Sequence, residues 1–466
     1  MNPASDSLVA RPEIKKVLRR VLDKVVPREE EREFIKNIAE RVRKEIEDSL
    51  AEIPVPFSVE IHGSFAHDTW LSGDRDIDIF ILLREYKPKS FLEDLLKIIE
   101  NRLPYEFERR YAEHPYLHAY IDGLEVDIVP GYSIENKILS AVDRTPRHTR
   151  FLKQYLNEEL CNEIRLLKAF LKGIDAYGAE IRTQGLSGYA CELLIIHYKS
   201  FLRTITEIAQ KPRIFIDFTN TWEEEEAIKT FRRRIIIIDP TDTERNVTAN
   251  LSTQTFLKIK LASKLFLERP STTYFFPKEK NLSEKILRKS IRERSIILIQ
   301  LFIKEGVSPD TYWGQAKRIL RKIRQFLKRM REVEVYNYEI TETRGRIMLF
   351  LELNTKELSR YKKVLGPPIW ASSKNILDFI IKHYDEIGPI ISIGSRIFFI
   401  EKRNANERSI AEILKNFLDT IKIEPSFTSI SVHDNPEEIV KIILEEDVSG
   451  KLYQFVTGKP PWLPEI

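Results

Sequence analysis

The chain is poor in cysteine and glycine and has no long apolar run. Its 466 residues include only two cysteines, Cys161 and Cys191, and 16 glycines. Two cysteines are too few for a disulfide framework or a zinc cluster, which fits a reducing compartment, and we interpret both as small buried residues. No apolar segment approaches the ~20 residues of a membrane helix, and residues 1–11 lack the basic stretch and apolar run of a signal peptide. We therefore expect a cytoplasmic protein with no membrane contact.

An excess of charge of one sign is also missing. The 75 Lys and Arg residues nearly balance the 71 Asp and Glu residues, which gives a formal net charge of +4. This balance neither requires nor excludes a nucleic-acid partner, so any such site must be a local patch. Hydrophobic residues make up 42% and charged residues 31% of the chain, a composition typical of folded globular domains.

The length and the hydrophobic pattern predict a multidomain α+β protein. A chain of 466 residues exceeds the size at which a single core keeps growing. We predict a head with a mixed β-sheet and flanking helices (1–150), a helical central domain (151–277), an α/β body with a basic helix (278–366) and an α/β tail (367–466). Within the last two we predict helices at 283–304 and 317–331, strands at 333–340 and 347–353, and a linker at Pro367 and Pro368.

Asp76 and Asp78 stand on a strand that we predict at residues 76–83. Because side chains alternate along a strand, both carboxylates share one face, while Ile77 and Ile79 face a core. At ~3.3 Å per residue the two positions lie roughly 6.6 Å apart, a spacing that lets them bind two metal ions ~3.5–4 Å apart. Two such ions suit phosphoryl transfer, because one activates the attacking hydroxyl and the other neutralises the triphosphate. Mg²⁺ is the expected cation.

A third carboxylate, Asp127, is predicted on a neighbouring strand. Asp122 and Gly123 indicate a two-residue hairpin turn, and this turn places His118 opposite Asp127. Asp127 lies between two apolar residues and would be costly to bury unpaired, so a bound cation is a good explanation for it.

Other interpretations of these acids stay open. Glu125 shares the predicted face of Asp127, and Asp74 competes with Asp76, although it follows Gly73 and is better interpreted as a turn residue. An isolated Asp-x-Asp in a charged protein is most often solvated surface. Its combination with a Gly-Ser turn upstream and an acid on the next strand makes solvated surface the weaker interpretation.

A resemblance can be named from these and further segments. They are His-Gly-Ser-Phe-Ala at 62–66, Thr-Trp-Leu at 69–71, Gly-Asp-Arg-Asp-Ile-Asp-Ile-Phe at 73–80, Val-Asp-Ile-Val-Pro at 126–130, Ala-Val-Asp-Arg-Thr-Pro at 141–146, Tyr-Gly-Ala-Glu at 177–180, Gly-Leu-Ser-Gly-Tyr at 185–189, Asp-Pro at 239–240 and Glu-Arg-Asn-Val at 244–247. Together they resemble the polymerase-beta-like nucleotidyltransferase superfamily and, more narrowly, the archaeal class I CCA-adding enzymes.

The resemblance implies an activity and its partners. It implies an enzyme that adds C, C and A to the 3′ end of tRNA from CTP and ATP, without a template and with release of pyrophosphate. The head would then be the catalytic domain, with Asp76, Asp78 and Asp127 as the carboxylates that bind two Mg²⁺ ions. The central domain would select the nucleotide, and the body and tail would bind the acceptor and T stems of tRNA. A homodimer is left open.

Candidate nucleotide contacts come from two sources. The turn at Gly63 and Ser64 offers backbone N–H groups and a hydroxyl to triphosphate oxygens. The spacing of Arg165, Lys168 and Lys172 predicts a cationic stripe on a helix, for which a solvated face is the plain alternative.

The resemblance adds residues that match family positions. It implies that Lys168, His148 and Tyr177 contact the incoming triphosphate and that Arg245 reads the base. A salt bridge from Arg245 to Asp239 or Asp242 is the structural alternative. His67 stands where the family has an arginine, so the corresponding contact with the nucleotide is in question.

The predicted helix at 317–331 is strongly basic. It has eight cations and no acid, and its apolar residues keep helical spacing, so one basic face should be exposed. Such a face suits an RNA backbone, which is recognised by shape and phosphate contacts. The candidate RNA-binding residues are Lys317, Arg318, Arg321, Lys322, Arg324 and Lys328. A solvated helix is the alternative.

Two other functions compete with CCA addition. One is a poly(A) polymerase-like enzyme of the same superfamily, and the other is a non-catalytic RNA-binding protein that keeps the fold. Product length would distinguish the first, because CCA addition stops after three nucleotides, and metal binding would distinguish the second.

Overall fold

The computed structural model describes residues 11–111, 115–134, 138–140, 142–278, 282–391, 394–404, 407–421 and 424–465. The amino-terminal residues 1–10, which entered the search for a signal peptide, and Ala141 of the 141–146 segment lie outside these ranges. The chain forms two compact units, one of residues 1–278 with 462–466 and one of residues 279–461. Within the described ranges, none of the helices combines the length and the apolar character that a membrane crossing requires.

The first unit begins with a five-stranded mixed sheet in the order β1-β2-β5-β4-β3. The strands are β1 (Phe57–His62), β2 (Asp76–Leu83), β3 (Phe107–Tyr111), β4 (Pro115–Ile121) and β5 (Leu124–Tyr132). The helices of this part are α1 (Pro12–Val25), α2 (Glu29–Ser49), α3 (Gly63–Ala66), α4 (Lys89–Arg102) and α5 (Arg144–Leu152). Only β2 and β5 run parallel; the other neighbouring strands are antiparallel.

The two faces of β2 differ because its residues alternate. Ile77, Ile79 and Ile81 are almost fully buried and belong to the core that the sheet forms with α2 and α4. Burying such side chains stabilises the fold by roughly 1.5–3 kcal/mol each. Asp76 and Asp78 lie on the opposite face, as the period-two pattern predicts. The isoleucine face therefore anchors β2 and fixes the direction of its carboxylates.

The rest of the first unit is mainly helical. Its helices are α6 (Glu158–Gly173), α7 (Gly188–Tyr198), α8 (Phe201–Gln210), α9 (Glu224–Phe231) and α10 (Thr253–Glu268), followed by a 3₁₀ turn (Thr272–Tyr274). A small sheet in the order β6-β7-β8 consists of Ile214–Ile216, Ile235–Asp239 and Asp242–Asn246. Asn157, Ser187, Ser200 and Ser252 cap the amino-terminal ends of four of these helices through their side chains. The predicted boundary at residue 150 lies inside this unit and stays a prediction.

The second unit contains two sheets. The larger has the order β10-β11-β9-β15 and the smaller β12-β14-β13. Their strands are β9 (Ser295–Ile303), β10 (Val335–Thr343), β11 (Arg346–Leu353), β12 (Tyr361–Pro368), β13 (Ile387–Ile391), β14 (Arg396–Lys402) and β15 (Phe427–His433). The helices are α11 (Glu284–Glu293), α12 (Pro309–Arg329), α13 (Ser373–Lys382), α14 (Ile410–Thr420), α15 (Pro436–Glu445) and α16 (Tyr453–Thr457), with a 3₁₀ turn at Gly450–Leu452. The chain is thus multidomain α+β, as predicted.

Two predictions about this unit were wrong. The helix predicted at 283–304 ends at Glu293, and a buried strand, β9, follows it. Pro367 and Pro368 do not form a linker, because both belong to the end of β12, where the pairing with β14 is irregular. β12 is an edge strand, and an edge tolerates prolines, which donate no ladder hydrogen bond.

Candidate functional site

The three predicted carboxylates lie on adjacent parallel strands. Asp78 on β2 is in register with Asp127 on β5, and Asp76 is in register with Glu125. On its other side Asp78 is opposite His62 of β1. Residues in register on neighbouring strands point to the same face of a sheet. Asp76, Asp78 and Asp127 therefore share one face, which is the arrangement that the metal hypothesis requires.

The electrostatics of this face favour a cation. Burial and the charges of Asp127 and Asp76 raise the pKa of Asp78 to about 7. Burial and the charges of Glu125 and Asp74 also raise the pKa of Asp76. Like charges held together in this way repel one another unless a proton or a metal ion neutralises them. The donor set, carboxylate oxygens without sulfur, fits a hard divalent cation such as Mg²⁺.

The three carboxylates do not by themselves form a complete metal site in the described part of the chain. Over the residues with described coordinates, no group of three or more His, Cys, Asp or Glu side chains is positioned to hold an ion. The rival acids have other surroundings: Asp74 forms an ion pair with Lys172 at 2.6 Å, and Glu125 is exposed and accepts a hydrogen bond from Tyr120. Asp78 and Asp127 are half-buried side by side.

The Gly63-Ser64 turn lies against Asp78. Gly63 has φ +71°, a left-handed conformation that glycine adopts without strain. A Cβ atom at this position would lie 2.0 Å from Oδ2 of Asp78, far inside contact distance. Gly63 and Ser64 begin α3, which leaves their backbone N–H groups at the start of a helical turn. The turn therefore brings backbone donors directly beside the carboxylates.

Lys168 and Arg165 are buried, so the alternative of a solvated helix face does not hold for these two residues. Nζ of Lys168 donates to the carbonyl oxygen and the hydroxyl of Thr69 and lies 3.6 Å from Glu192. Arg165 donates to the backbone oxygens of Asp68 and Trp70. Only Lys172, the third member of the predicted stripe, is exposed.

Lys168 and Tyr177 meet at the start of α7. A Cβ atom on Gly188 would lie 3.0 Å from the hydroxyl oxygen of Tyr177 and 3.6 Å from Nζ of Lys168. Gly188 is the first residue of α7, whose N-terminus carries a partial positive charge and whose Ala190 N–H is capped by Ser187. A cation, a hydroxyl and a helix N-terminus thus converge at one point, which suits a phosphate group.

His67 occupies a buried polar network. Its Nδ1 is 3.3 Å from Glu192 and its Nε2 is 2.8 Å from the hydroxyl of Thr149. Glu192 also accepts a hydrogen bond from Thr69 at 2.6 Å. Burial alone would raise the pKa of Glu192, but the charge of Lys168 and the bonds from His67 and Thr69 lower it to about 2. Both ring nitrogens of His67 therefore bond within the protein, and its contact with a nucleotide stays a prediction.

Asp239, the last residue of β7, bonds to both His148 and Arg245. Its Oδ2 is 2.8 Å from Nε2 of His148 and accepts a hydrogen bond from Arg245 at 2.7 Å. Burial would raise the pKa of Asp239, yet the hydrogen bonds from His148, Thr241 and Arg245 hold it well below its ordinary range. The salt bridge between Arg245 and Asp239, considered as an alternative role, is present, and Arg245 still keeps about a third of its side chain exposed. The ring of His148 stacks on Tyr189 at 3.8 Å.

The basic helix predicted at 317–331 is the carboxy-terminal part of α12 (Pro309–Arg329). Arg318, Arg321, Arg324 and Lys328 are exposed, whereas Lys317 and Lys322 are half-buried. One carboxylate outside the helix neutralises part of this positive charge, because Glu424 pairs with Arg318 at 3.1 Å and with Lys322 at 2.9 Å. The guanidinium of Arg324 lies 4.6 Å from the ring centre of Tyr338.

Three residues that bond to predicted site residues were not predicted from the sequence. Glu192 and Glu424 each pair with cations more than twenty positions away, and no local pattern marks them. His118 was placed opposite Asp127 by the hairpin register, but a role for it was not predicted; its Nδ1 is 2.7 Å from Oδ1 of Asp127. The register of the hairpin was the signal that could have shown this contact.

Comparison with known proteins identifies three family segments in order along the chain. Residues 40–155 match the nucleotidyltransferase domain, residues 162–276 match the second domain of tRNA nucleotidyltransferase, and residues 292–420 match the C-terminal domain of the CCA-adding enzyme. The first match contains all three carboxylates, and the second contains Lys168, Tyr177 and Arg245.

Curated relatives match over most of their length. A CCA-adding enzyme of Pyrobaculum islandicum is 34% identical over 87% of this chain and 94% of its own length. The CCA-adding enzyme of Saccharolobus islandicus is 32% identical over 95% of this chain and 98% of its own length. The CCA-adding enzyme of Pyrobaculum neutrophilum is 33% identical over 84% of this chain and 91% of its own length. With this identity over nearly whole chains and the matched domains in the same order, the chain belongs to the CCA-adding enzymes, a family of tRNA nucleotidyltransferases.

Proposed function

We propose that this protein adds C, C and A to the 3′ end of tRNA from CTP and ATP and releases pyrophosphate. The observation that carries the proposal is the pair Asp78 and Asp127, in register on parallel strands directly beside the Gly63 turn. Family membership supports the same chemistry. A poly(A) polymerase-like activity and a non-catalytic RNA-binding role are the alternatives that an assay of products must distinguish.

The proposed division of roles follows from the geometry. Asp76, Asp78 and Asp127 would bind two Mg²⁺ ions, which, when bound, activate the attacking 3′ hydroxyl and neutralise the leaving pyrophosphate. Backbone N–H groups at Gly63 and Ser64 would hold triphosphate oxygens, as would Lys168 and Tyr177 at the N-terminus of α7. This assignment is supported by the close approach of Gly63 to Asp78 and of Gly188 to Tyr177 and Lys168.

Base selection is proposed for Arg245, which bonds to Asp239, while His148, bonded to the same carboxylate, is proposed to contact the triphosphate. A guanidinium donates hydrogen bonds and never accepts them, so it suits the acceptor atoms of cytosine and adenine. Arg245 donates a hydrogen bond to Oδ2 of Asp239, and Nε2 of His148 lies 2.8 Å from the same oxygen, so Asp239 links the two side chains. An arginine held in this way can discriminate between bases without contacting the metal ions.

Replacing Arg245 by alanine should reduce nucleotide selection more than tRNA binding. We expect kcat/KM for CTP and ATP to fall by about 10- to 100-fold, since one buried or oriented hydrogen bond to a charged group contributes roughly 1.5–3 kcal/mol. The dissociation constant for tRNA should change less than twofold. Misincorporation of UTP, measured in competition with CTP, is the direct readout. An unchanged preference among the four nucleotides would remove Arg245 from the base site.

The tRNA surface is proposed on α12 of the second unit. Arg321 and Lys328 are exposed, and within the part of the chain that is described neither has an ion-pair partner. Phosphate contacts from such residues supply affinity that depends on salt and not on base sequence. The body and tail would in this way bind the acceptor and T stems. A homodimer and a cytoplasmic location stay predictions.

The double variant Arg321→Ala, Lys328→Ala should weaken tRNA binding without changing nucleotide choice. We expect the slope of log binding constant against log salt to fall by about one for each phosphate interaction that the substitutions remove. Lys441→Ala is the matched control, because Lys441 is an exposed lysine of α15 in the same unit. Filter binding between about 50 and 200 mM salt measures the slope. Equal slopes for the double variant and the control would contradict the proposed surface.

One assay separates the proposed function from its alternatives. The protein is incubated with Mg²⁺, labelled CTP or ATP, and tRNAs that lack one, two or three terminal nucleotides. Completion of each tRNA to CCA and no further growth supports the proposal. A long homopolymer identifies a poly(A) polymerase-like enzyme. Tight tRNA binding without incorporation identifies an RNA-binding protein.

A further inference from the structure

His118 on β4 makes a direct hydrogen bond to one of the proposed metal-binding carboxylates. It lies opposite Asp127 in the antiparallel pairing of β4 with β5. Its Nδ1 is 2.7 Å from Oδ1 of Asp127, a distance typical of a hydrogen bond to a charged group. The side chain of His118 is 3% exposed and that of Asp127 is 33% exposed, so the ring is shielded from water while the carboxylate stays partly accessible.

The chemistry of the pair determines the direction of this bond. A carboxylate accepts hydrogen bonds and cannot donate them when ionised, so Nδ1 of His118 carries the proton. The ring is held in place by an edge-to-face contact with Tyr120 at 5.1 Å. Its other nitrogen, Nε2, is buried and has no hydrogen-bond partner in the described ranges. The hydrogen-bonding capacity of this buried ring is therefore directed at Asp127.

Within the described part of the chain, the acid opposite His118 on β3 does not form a hydrogen bond with it. Glu108, opposite it on β3, is paired instead with Arg110 at 2.8 Å. Burying an imidazole costs free energy that an apolar residue at this position would avoid. A histidine here is thus explained by what it does to Asp127 and not by the packing of the sheet.

We propose that His118 is a positioning residue for the catalytic metal site. It occupies Oδ1 of Asp127 and turns the carboxylate so that Oδ2 remains available for a divalent cation next to Asp78. Partners of this kind, which orient a metal-binding side chain, typically change metal affinity about 10- to 100-fold when they are removed. The inference rests on the proposed function, because Asp127 must be a metal ligand for His118 to act through it.

The test compares two replacements of His118. His118→Asn keeps an N–H close to the position of Nδ1, whereas His118→Leu has similar bulk and no donor. Binding of Mn²⁺ in the presence of a non-hydrolysable CTP analogue is titrated by electron paramagnetic resonance. We expect the dissociation constant for Mn²⁺ to rise about 10- to 100-fold in His118→Leu and to stay within about threefold of the wild type in His118→Asn. Tyr120→Phe is the matched control, because it removes the hydroxyl of Tyr120 and keeps the ring that contacts His118. Its dissociation constant for Mn²⁺ should equal that of the wild type.

Kinetics supply an independent readout. In His118→Leu the Mg²⁺ concentration for half-maximal rate should rise by the same factor, while the tRNA dissociation constant stays unchanged. Thermal melting of each variant shows whether it is folded, and a misfolded leucine variant is replaced by His118→Met, which also has no N–H donor. Equal Mn²⁺ affinity in the wild type and the folded variant would overturn the inference. A wild-type protein that neither binds Mn²⁺ nor incorporates CMP would instead refute the proposed function.

Discussion

Replacing Asp78 by asparagine should lower the rate of nucleotide incorporation about 1000-fold or more. Asp78 lies at the centre of the acidic face, in register with Asp127 and against Gly63. A metal-binding carboxylate supplies several kcal/mol of transition-state stabilisation, and each 1.36 kcal/mol corresponds to a factor of ten. Single-turnover incorporation of labelled CMP into a tRNA that lacks its CCA end measures the loss. Asp127→Asn should behave in the same way, and near-normal incorporation by either variant would refute the metal assignment.

The same variant should be more stable than the wild type when metal is absent. Burial and neighbouring carboxylates raise the pKa of Asp78 to about 7, above its value in the unfolded chain. The folded state therefore retains a proton that the unfolded state releases, so metal-free wild type loses stability as the pH rises from about 4 to 7. Asparagine carries no charge and avoids this loss. We expect a higher Tm for Asp78→Asn at pH 8 in EDTA, and the advantage should shrink toward pH 4, where both proteins are neutral at this position.

Gly63→Ala should reduce incorporation by about 100-fold or more while the protein remains folded. The added methyl group would lie 2.0 Å from Oδ2 of Asp78, so either the turn or the carboxylate must move. A displacement of about 1 Å at a reacting centre costs on the order of 100-fold in rate. Steady-state kinetics with CTP at saturating Mg²⁺ measure the effect, and kcat should fall along with the apparent affinity for the triphosphate.

Gly73→Ala is the matched control for this variant. Gly73 also has a positive φ, +88°, but a Cβ atom there would meet nothing within 4 Å. Both variants should lose roughly 1 kcal/mol of stability from the strained backbone. Only Gly63→Ala should also lose activity. Equal rates for the two variants would show that close contact with Asp78 is not required.

Local sequence signals predicted the carboxylate-bearing face of the first sheet well. The Asp122-Gly123 turn determined the register of β4 and β5, and the predicted pairing of His118 with Asp127 is observed. The alternation of isoleucine and aspartate placed Asp76 and Asp78 on one face of β2. These predictions succeeded because a tight turn and a period-two pattern depend on a few neighbouring residues.

Predictions failed where a short apolar run could form either a helix or a strand. Residues 283–304 were predicted to form one helix because helical spacing continues across them. In the fold, Arg294 ends α11, and its guanidinium donates to Glu352 and to backbone oxygens of residues 455 and 456. The next nine residues form β9, buried between β11 and β15. A central strand is apolar on both faces, so it lacks the alternation that identifies exposed strands.

Long-range partners could not be predicted from local pattern. Arg165 and Lys168 have the spacing of a solvated stripe, yet they are buried, because Asp68, Thr69 and Glu192 supply acceptors from other elements. Buried cations of this kind exist only where such partners surround them. The sequence could not show this, since the partners lie between 24 and about 100 positions away.

The contacts across residue 150 have a practical consequence for protein engineering. Lys168 and Glu192 of the helical region bond to the buried Thr69, and the exposed Lys172 pairs with Asp74, so polar bonds from the helical region hold the segment that leads into β2. A chimera joined at residue 150 would combine donors from one homologue with acceptors from another and leave buried charges without partners. Residues 1–278 and 462–466 form the first unit, so exchanging both segments together would keep the whole set intact. Domain swaps between homologues should therefore transfer the head and helical region as a single cassette.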